Sequence, residues 1–234
     1  MGLGAYFGAI FTTRLGLPFP FALLISVVAP SAVALAIGAP TLRLTGVYLA
    51  ISMLGLGEIA RLLFINWDYA GGALGISGIP ERGGVVLLYT TLLVLLTGYF
   101  FIARSHVGRA MEAIREDETA AGVMGINVPR YKLACLVASA ALAGLAGCLS
   151  AHLASFIGPG EYGFEAATTI LSFALLGGVG TPFGPVLGAA ILTTLPEALR
   201  FVADYRLMIN GAIIVVAVLF MPRGLLAWRM KRLA

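Results

Sequence analysis

Two ionisable residues, Glu58 and Arg61, interrupt an otherwise apolar run over residues 44–66. A spacing of three puts both on one face of a helix, where opposite charges meet. Charged side chains inside an apolar helix pair with one another or face a cavity. The pair therefore reads as a salt bridge near the end of a span, or as the lining of a pathway. Nucleophilic and metal chemistry find little support. The two histidines, His106 and His152, are far apart, and no Ser-His-Asp arrangement stands out. No nucleotide loop of the form G-x-x-x-x-G-K-[ST] occurs. Cys135 and Cys148 fall on different sides of one apolar helix and read as reduced packing residues. Neither an enzymatic reaction nor a resident cofactor is expected of this chain.

A second concentration of charge lies between apolar runs, over residues 104–132. Val107, Met111, Ile114, Ala121 and Met124 recur at steps that suit one helical face, with Arg109, Glu112, Arg115, Glu116 and Glu118 elsewhere. Gly125 suits a helix stop, and Pro129 follows it. The pattern predicts one amphipathic helix over about 107–124, outside the membrane. Its acids, Glu112, Glu116, Asp117 and Glu118, outnumber Arg109 and Arg115. A helix lying on lipid headgroups would be basic, so a protein partner is the expectation. Residues 67–83 are rich in glycine, and their amides could cradle a carboxylate; a compact external loop is the alternative. Trp67 and Tyr69 read as interfacial anchors.

The elements that must position these groups follow from composition. The chain has 234 residues, 60% hydrophobic and 11% charged, against roughly 25% charged in soluble domains. Its mean hydropathy is +0.99. Such a chain cannot cover its core with polar surface, which excludes a soluble enzyme, a nucleic-acid binder and a disordered protein. A membrane helix needs ~20 mostly apolar residues. Charge-poor runs place spans at 18–39, 44–66, 84–103, 133–156 and 207–222, with a further apolar run at 1–13. Gly177-Gly178-Val179-Gly180-Thr181-Pro182-Phe183-Gly184-Pro185 interrupts another apolar stretch, over 165–199. Two short helices, about 166–176 and 185–199, are expected around this break, as a hairpin or a re-entrant pair. Gly180, Gly184 and Gly188 repeat every four residues, as do Ala140, Gly144 and Cys148. Such ladders let helices approach closely in lipid. The runs are too long and too uniformly apolar for barrel strands.

The expected fold is thus an all-α polytopic membrane protein with broken helices, forming one domain over 1–234. Arg223, Arg229, Lys231 and Arg232 crowd the C-terminal tail without an acid, which places it in the cytoplasm. Counting back puts 104–132 and Arg43 on the same side and 67–83, 157–165 and 200–206 outside. The start, Met1-Gly-Leu-Gly-Ala-Tyr, has no basic flank and is unlike a signal peptide.

Four segments together resemble the permease subunit of ABC importers for branched-chain amino acids, of the LivM type. They are Thr41-Leu-Arg-Leu-Thr-Gly-Val-Tyr-Leu-Ala-Ile-Ser-Met-Leu-Gly-Leu-Gly-Glu-Ile-Ala-Arg61, Gly108-Arg-Ala-Met-Glu-Ala-Ile-Arg-Glu-Asp-Glu-Thr-Ala-Ala-Gly-Val-Met-Gly-Ile126, Leu176-Gly-Gly-Val-Gly-Thr-Pro-Phe-Gly-Pro-Val-Leu-Gly188 and Phe220-Met-Pro-Arg-Gly-Leu225. They occur in the family's order along nearly the whole chain. The resemblance implies a multi-pass subunit of the cytoplasmic membrane that carries hydrophobic amino acids and has no ATPase of its own. It would join a second permease subunit, two cytoplasmic ATPases that use the ATP, and an external substrate-binding protein. Segment 104–132 would then seat on an ATPase through Arg109, Glu112, Arg115, Glu116, Glu118 and Gly125. Permeases for urea and short amides look similar, and an ion-coupled secondary carrier is the rival from another class. Family members carry further spans before the Gly-Ala-Tyr segment. The chain is therefore expected to be N-terminally truncated, with an apolar groove beside residues 1–40.

Overall fold

The computed structural model describes residues 1–42, 44, 46–82, 84–178 and 183–198. The expected span 207–222, the loop 200–206, the basic tail, Arg43 and Gly180 lie outside the described residues. The helices are α1 (Gly2–Thr13), α2 (Phe19–Thr41), α3 (Val47–Ile65), α4 (Val85–Arg104), α5 (His106–Glu116), α6 (Glu118–Val123), α7 (Val128–Ala154), α8 (Phe164–Gly177) and α9 (Gly184–Ala198). The described strands are the two-residue β1 (Ile76–Ser77) and β2 (Phe156–Ile157). Helices α2, α3, α4 and α7 are long and apolar enough to cross a membrane. The chain is a multi-pass, all-helical membrane protein. It divides into two compact units, residues 1–164 and 165–234.

In the first unit, α1, α2 and α7 form a seam of small residues. A Cβ on Gly4 would overlap the backbone of Gly144, and one on Gly8 would lie 2.6 Å from Cys148 Sγ and 2.7 Å from Ser26 Oγ. His152 Nε2 lies 3.2 Å from Thr12 Oγ1. Residues 4, 8 and 12 thus match 144, 148 and 152, so α1 and α7 run parallel in one register. Helix α2 runs the other way, with Phe19 edge-on to His152, Pro30 beside Gly144 and Gly38 against Leu133 and Leu136. Without a hydrophobic drive between helices in lipid, close backbone approach supplies the dispersion contact that holds them. Pro30 and Pro40 both sit inside α2. Membrane helices tolerate proline where neighbours and side-chain hydroxyls satisfy the freed backbone groups.

Residues 67–80 and 155–163 fold together as a cap on α1. Ile76 pairs with Ile157 and Ser77 with Phe156 in an antiparallel ladder, and the Ile79 amide donates to Ser155 O. Ile76, Ile79, Ala70 and Ile157 join Tyr6, Phe64 and Ala151 in one buried cluster. Three of the glycine amides considered as a carboxylate cradle are spent inside this cap. Gly71 donates to Asp68 O, Gly72 to Trp67 O and Gly75 to Gly72 O. Gly75 has φ +74, and a Cβ there would overlap Ile157 O, so only glycine brings the two loops into this ladder.

The helix expected over 107–124 is two helices, which corrects the single-helix reading. Asp117 is extended, and its carboxylate accepts from the Thr119 and Ala120 amides at 2.8 and 3.0 Å. An aspartate that caps the next turn competes with continuation of its own. Within the second unit, α8 ends at Gly177 and α9 begins at Gly184. A Cβ on Gly177 would overlap Gly184 O, and one on Gly188 would overlap Phe173 O. The two helices therefore pack backbone to backbone across the break.

Candidate functional site

The charged segment between α4 and α7 starts at a sharp corner. Ser105 ends α4 and begins α5. Its amide donates to Ile102 O at 3.0 Å, its hydroxyl donates to the same oxygen at 2.6 Å, and its Oγ accepts from the Gly108 amide at 3.4 Å. The Arg109 guanidinium reaches back, donating to Arg104 O at 3.2 Å and to His106 Nδ1 at 2.9 Å. Carbonyls left open at the end of α4 are thus met by donors from the first turn of α5.

Along α5 and α6 the apolar positions face inward in part. Ile114 and Ala121 are buried, and Met111 Sδ accepts from the Cys135 thiol of α7 at 3.5 Å. Val107 and Met124 are exposed. Glu118 pairs with Lys132 at the start of α7, 2.6 Å apart. Gly125 has φ +87 and closes α6, with its amide on Gly122 O and that of Ile126 on Ala121 O. This is a left-handed helix stop of the kind glycine favours. Glu112, Arg115 and Glu116 are exposed and have no ion-pair partner among the described residues. Of the residues singled out in this segment, Arg109, Glu118 and Gly125 thus shape it, while Glu112, Arg115 and Glu116 point outward.

Glu58 and Arg61 do meet. Glu58 Oε1 accepts from Arg61 Nε at 2.7 Å and from the second guanidinium nitrogen. The Arg61 stem lies against Gly163, where a Cβ would come 3.1 Å from Arg61 Cδ. The pair braces α3 against the turn Pro159–Tyr162 of the cap. It does not line the apolar cleft of about 440 Å³ formed by Leu3 and Phe7 of α1 with Ala60, Leu63 and Phe64 of α3, near Trp67. In the cap, burial and then the charge of Glu161 push the Tyr162 phenol up to about 12. Among the described residues, no group of three or more His, Cys, Asp or Glu could hold a metal ion.

Sequence reasoning marked the α7 ladder of Ala140, Gly144 and Cys148 but missed its mate on α1, against which His152 is fully enclosed. Its Nδ1 donates to Cys148 O at 2.8 Å while Nε2 faces Thr12. The i, i+4 spacing of Gly4, Gly8 and Thr12 was the available signal. It also missed the corner at Gly108, because no spacing rule marks a junction between two helices.

Comparison with known proteins bears on the whole arrangement. Residues 1–218 match the family described as branched-chain amino acid transport system, permease component. The high-affinity branched-chain amino acid transport permease LivM of Salmonella typhimurium is 34% identical over 96% of this chain and 61% of the relative. LivM of Escherichia coli gives the same figures. LivH of Escherichia coli is 34% identical over 60% of this chain and 46% of its own length. The chain thus spans about three-fifths of the length of the LivM relatives. No solved structure matches. With a family match running through every described helix, the chain belongs to the branched-chain amino acid transport permease family.

Proposed function

We propose that this chain is a membrane-spanning permease subunit of an ATP-driven importer that carries branched-chain amino acids across the cytoplasmic membrane. The family match over residues 1–218 carries the reading. The relatives' names describe components of high-affinity branched-chain amino acid transport systems. On this reading the chain works with a second permease subunit, two cytoplasmic ATPases and an external binding protein. The basic tail and the segment 104–132 lie in the cytoplasm, in keeping with their arginines.

The geometry suits that role. A segment held by backbone bonds and capped on both helices presents Glu112, Arg115 and Glu116 to the medium. Exposed charges on a lone subunit contribute little to its stability. Facing a partner of complementary charge, they supply specificity and steering. ATP binding would close the ATPase dimer, and the segment would pass that movement to the spans. Access then alternates between two states, each favoured by a different ligand.

Reversal of Glu112 and Glu116 to lysine tests the assignment. The double variant is expected to insert and fold normally, to lose co-purification with the ATPases and to uncouple hydrolysis from uptake. Normal co-purification and normal transport by that variant would remove the segment from the ATPase interface.

A further inference from the structure

We propose that the polar face of α8 lines the path of the carried amino acid and receives its ammonium group, with Glu165, Thr169 and Ser172 as the contacts. The proposal rests on the function given above and adds the residues that meet the substrate inside the subunit.

Three observations carry it. The first is segregation. Glu165, Thr168, Thr169 and Ser172 are the polar side chains of α8, and at about 100° per residue they share one face. Helix α9 does not account for that face. It packs at Phe173 and Gly177, roughly a quarter turn or more round the helix. Polar groups gathered on one side of an apolar helix face water or protein rather than lipid. The second is the break. Helix α8 has 14 residues and ends at Gly177, short of the ~20 that cross a hydrocarbon layer. A helix that stops at membrane depth does so inside protein or beside a watery cavity. The third is what the face offers. The Thr168 and Thr169 hydroxyls donate to Glu165 O at 2.9 and 2.8 Å, and that of Ser172 donates to Thr168 O at 2.7 Å. With those protons engaged, Thr169 and Ser172 present oxygen lone pairs outward. Glu165 is exposed and joins no ion pair among the described residues, and an ionised carboxylate only accepts. An ammonium group has three donors and no acceptor, so the face complements it and repels a carboxylate. Successive contacts rise about 6 and 4.5 Å along the axis, close enough for the ammonium to pass from one to the next.

The test uses the complete transporter in proteoliposomes, with Cys135→Ser removing the exposed thiol and Cys148 left buried. Thr169→Cys is treated with a cationic methanethiosulfonate, which reacts with the thiolate and so reports water. Labelling is expected, slowed several-fold by leucine but not by isocaproate, which keeps the side chain and carboxylate of leucine and lacks its ammonium. Ile170→Cys, exposed on another side of α8, should stay unlabelled. Glu165→Gln is expected to lower leucine uptake about tenfold, the worth of one charge-assisted contact, while Glu165→Asp keeps most of it. Should Thr169→Cys fail to insert, Ser172→Cys takes its place one turn on. Absence of labelling at the chosen position, or equal labelling in Ile170→Cys, overturns the water-lined face. Equal protection by leucine and isocaproate, no protection by leucine, or full uptake by Glu165→Gln overturns the ammonium contact. If the wild-type complex takes up no leucine, the proposed function is what fails, and the labelling contrast still judges the face.

Discussion

A methyl group on Gly144 would overlap Ser26 O and come 2.7 Å from Pro30 Cγ. Neither neighbour can retreat, since one is helix backbone and the other a ring inside α2. Overpacking of this kind costs roughly 1–3 kcal/mol. Gly144→Val should therefore lower the thermal midpoint of the detergent-solubilised protein, whereas Ala138→Val on the exposed side of α7 should leave it unchanged. Equal midpoints for the two variants would deny the seam its role. A second residue-scale outcome concerns Tyr162. Its phenol is held neutral, with a folded-state value of about 12 against an ordinary 10. The stability it contributes is present below pH 10 and lost as pH rises from 10 through 12. Replacing Tyr162 by Phe should make the loss of stability across that window shallower and reduce the late-titrating part of the tyrosinate absorbance. The α7 side of the seam was legible, because Ala140, Gly144 and Cys148 repeat every four residues in an apolar run. Its mate on α1 was not. Among 30 glycines a spacing of four is common, and only tertiary contact says which ladders meet.

At the scale of elements, length and charge carried most of the information. A hydrocarbon layer tolerates few charges and demands a minimum helix length, so charge gaps located α2, α3, α4 and α7 to within a few residues. The break between α8 and α9 was legible for a related reason, since clustered glycine and proline end helices whatever surrounds them. The division of the charged segment into α5 and α6 was not legible from periodicity. The apolar face runs on through Asp117, and the interruption comes from a side chain that caps its own neighbours. Asp117→Ala should cost about 1 kcal/mol locally and speed hydrogen exchange at the Thr119 and Ala120 amides. Unchanged exchange there would show that the cap does not hold α6. At the α8–α9 crossing, Gly184→Leu should disrupt packing, because Gly184 is buried and its backbone lies against Gly177. Undisturbed folding of that variant would count against close approach.

At the scale of the molecule, three features belong together: a small-residue seam, an ordered cap over α1 and a charged segment between α4 and α7. The seam and cap pack together, while α3 and α4 expose most of their apolar surface. The Glu58–Arg61 pair, the one ionisable couple noted within a span, braces the cap rather than lining the cleft. The measurement closest to the proposed ATP-driven import is leucine uptake into proteoliposomes that hold the chain with its partner subunits, with ATP and the proton gradient varied separately. Uptake is expected to stop on ATP depletion and to continue when a protonophore collapses the gradient. Uptake that survives ATP depletion and stops with the protonophore would contradict it.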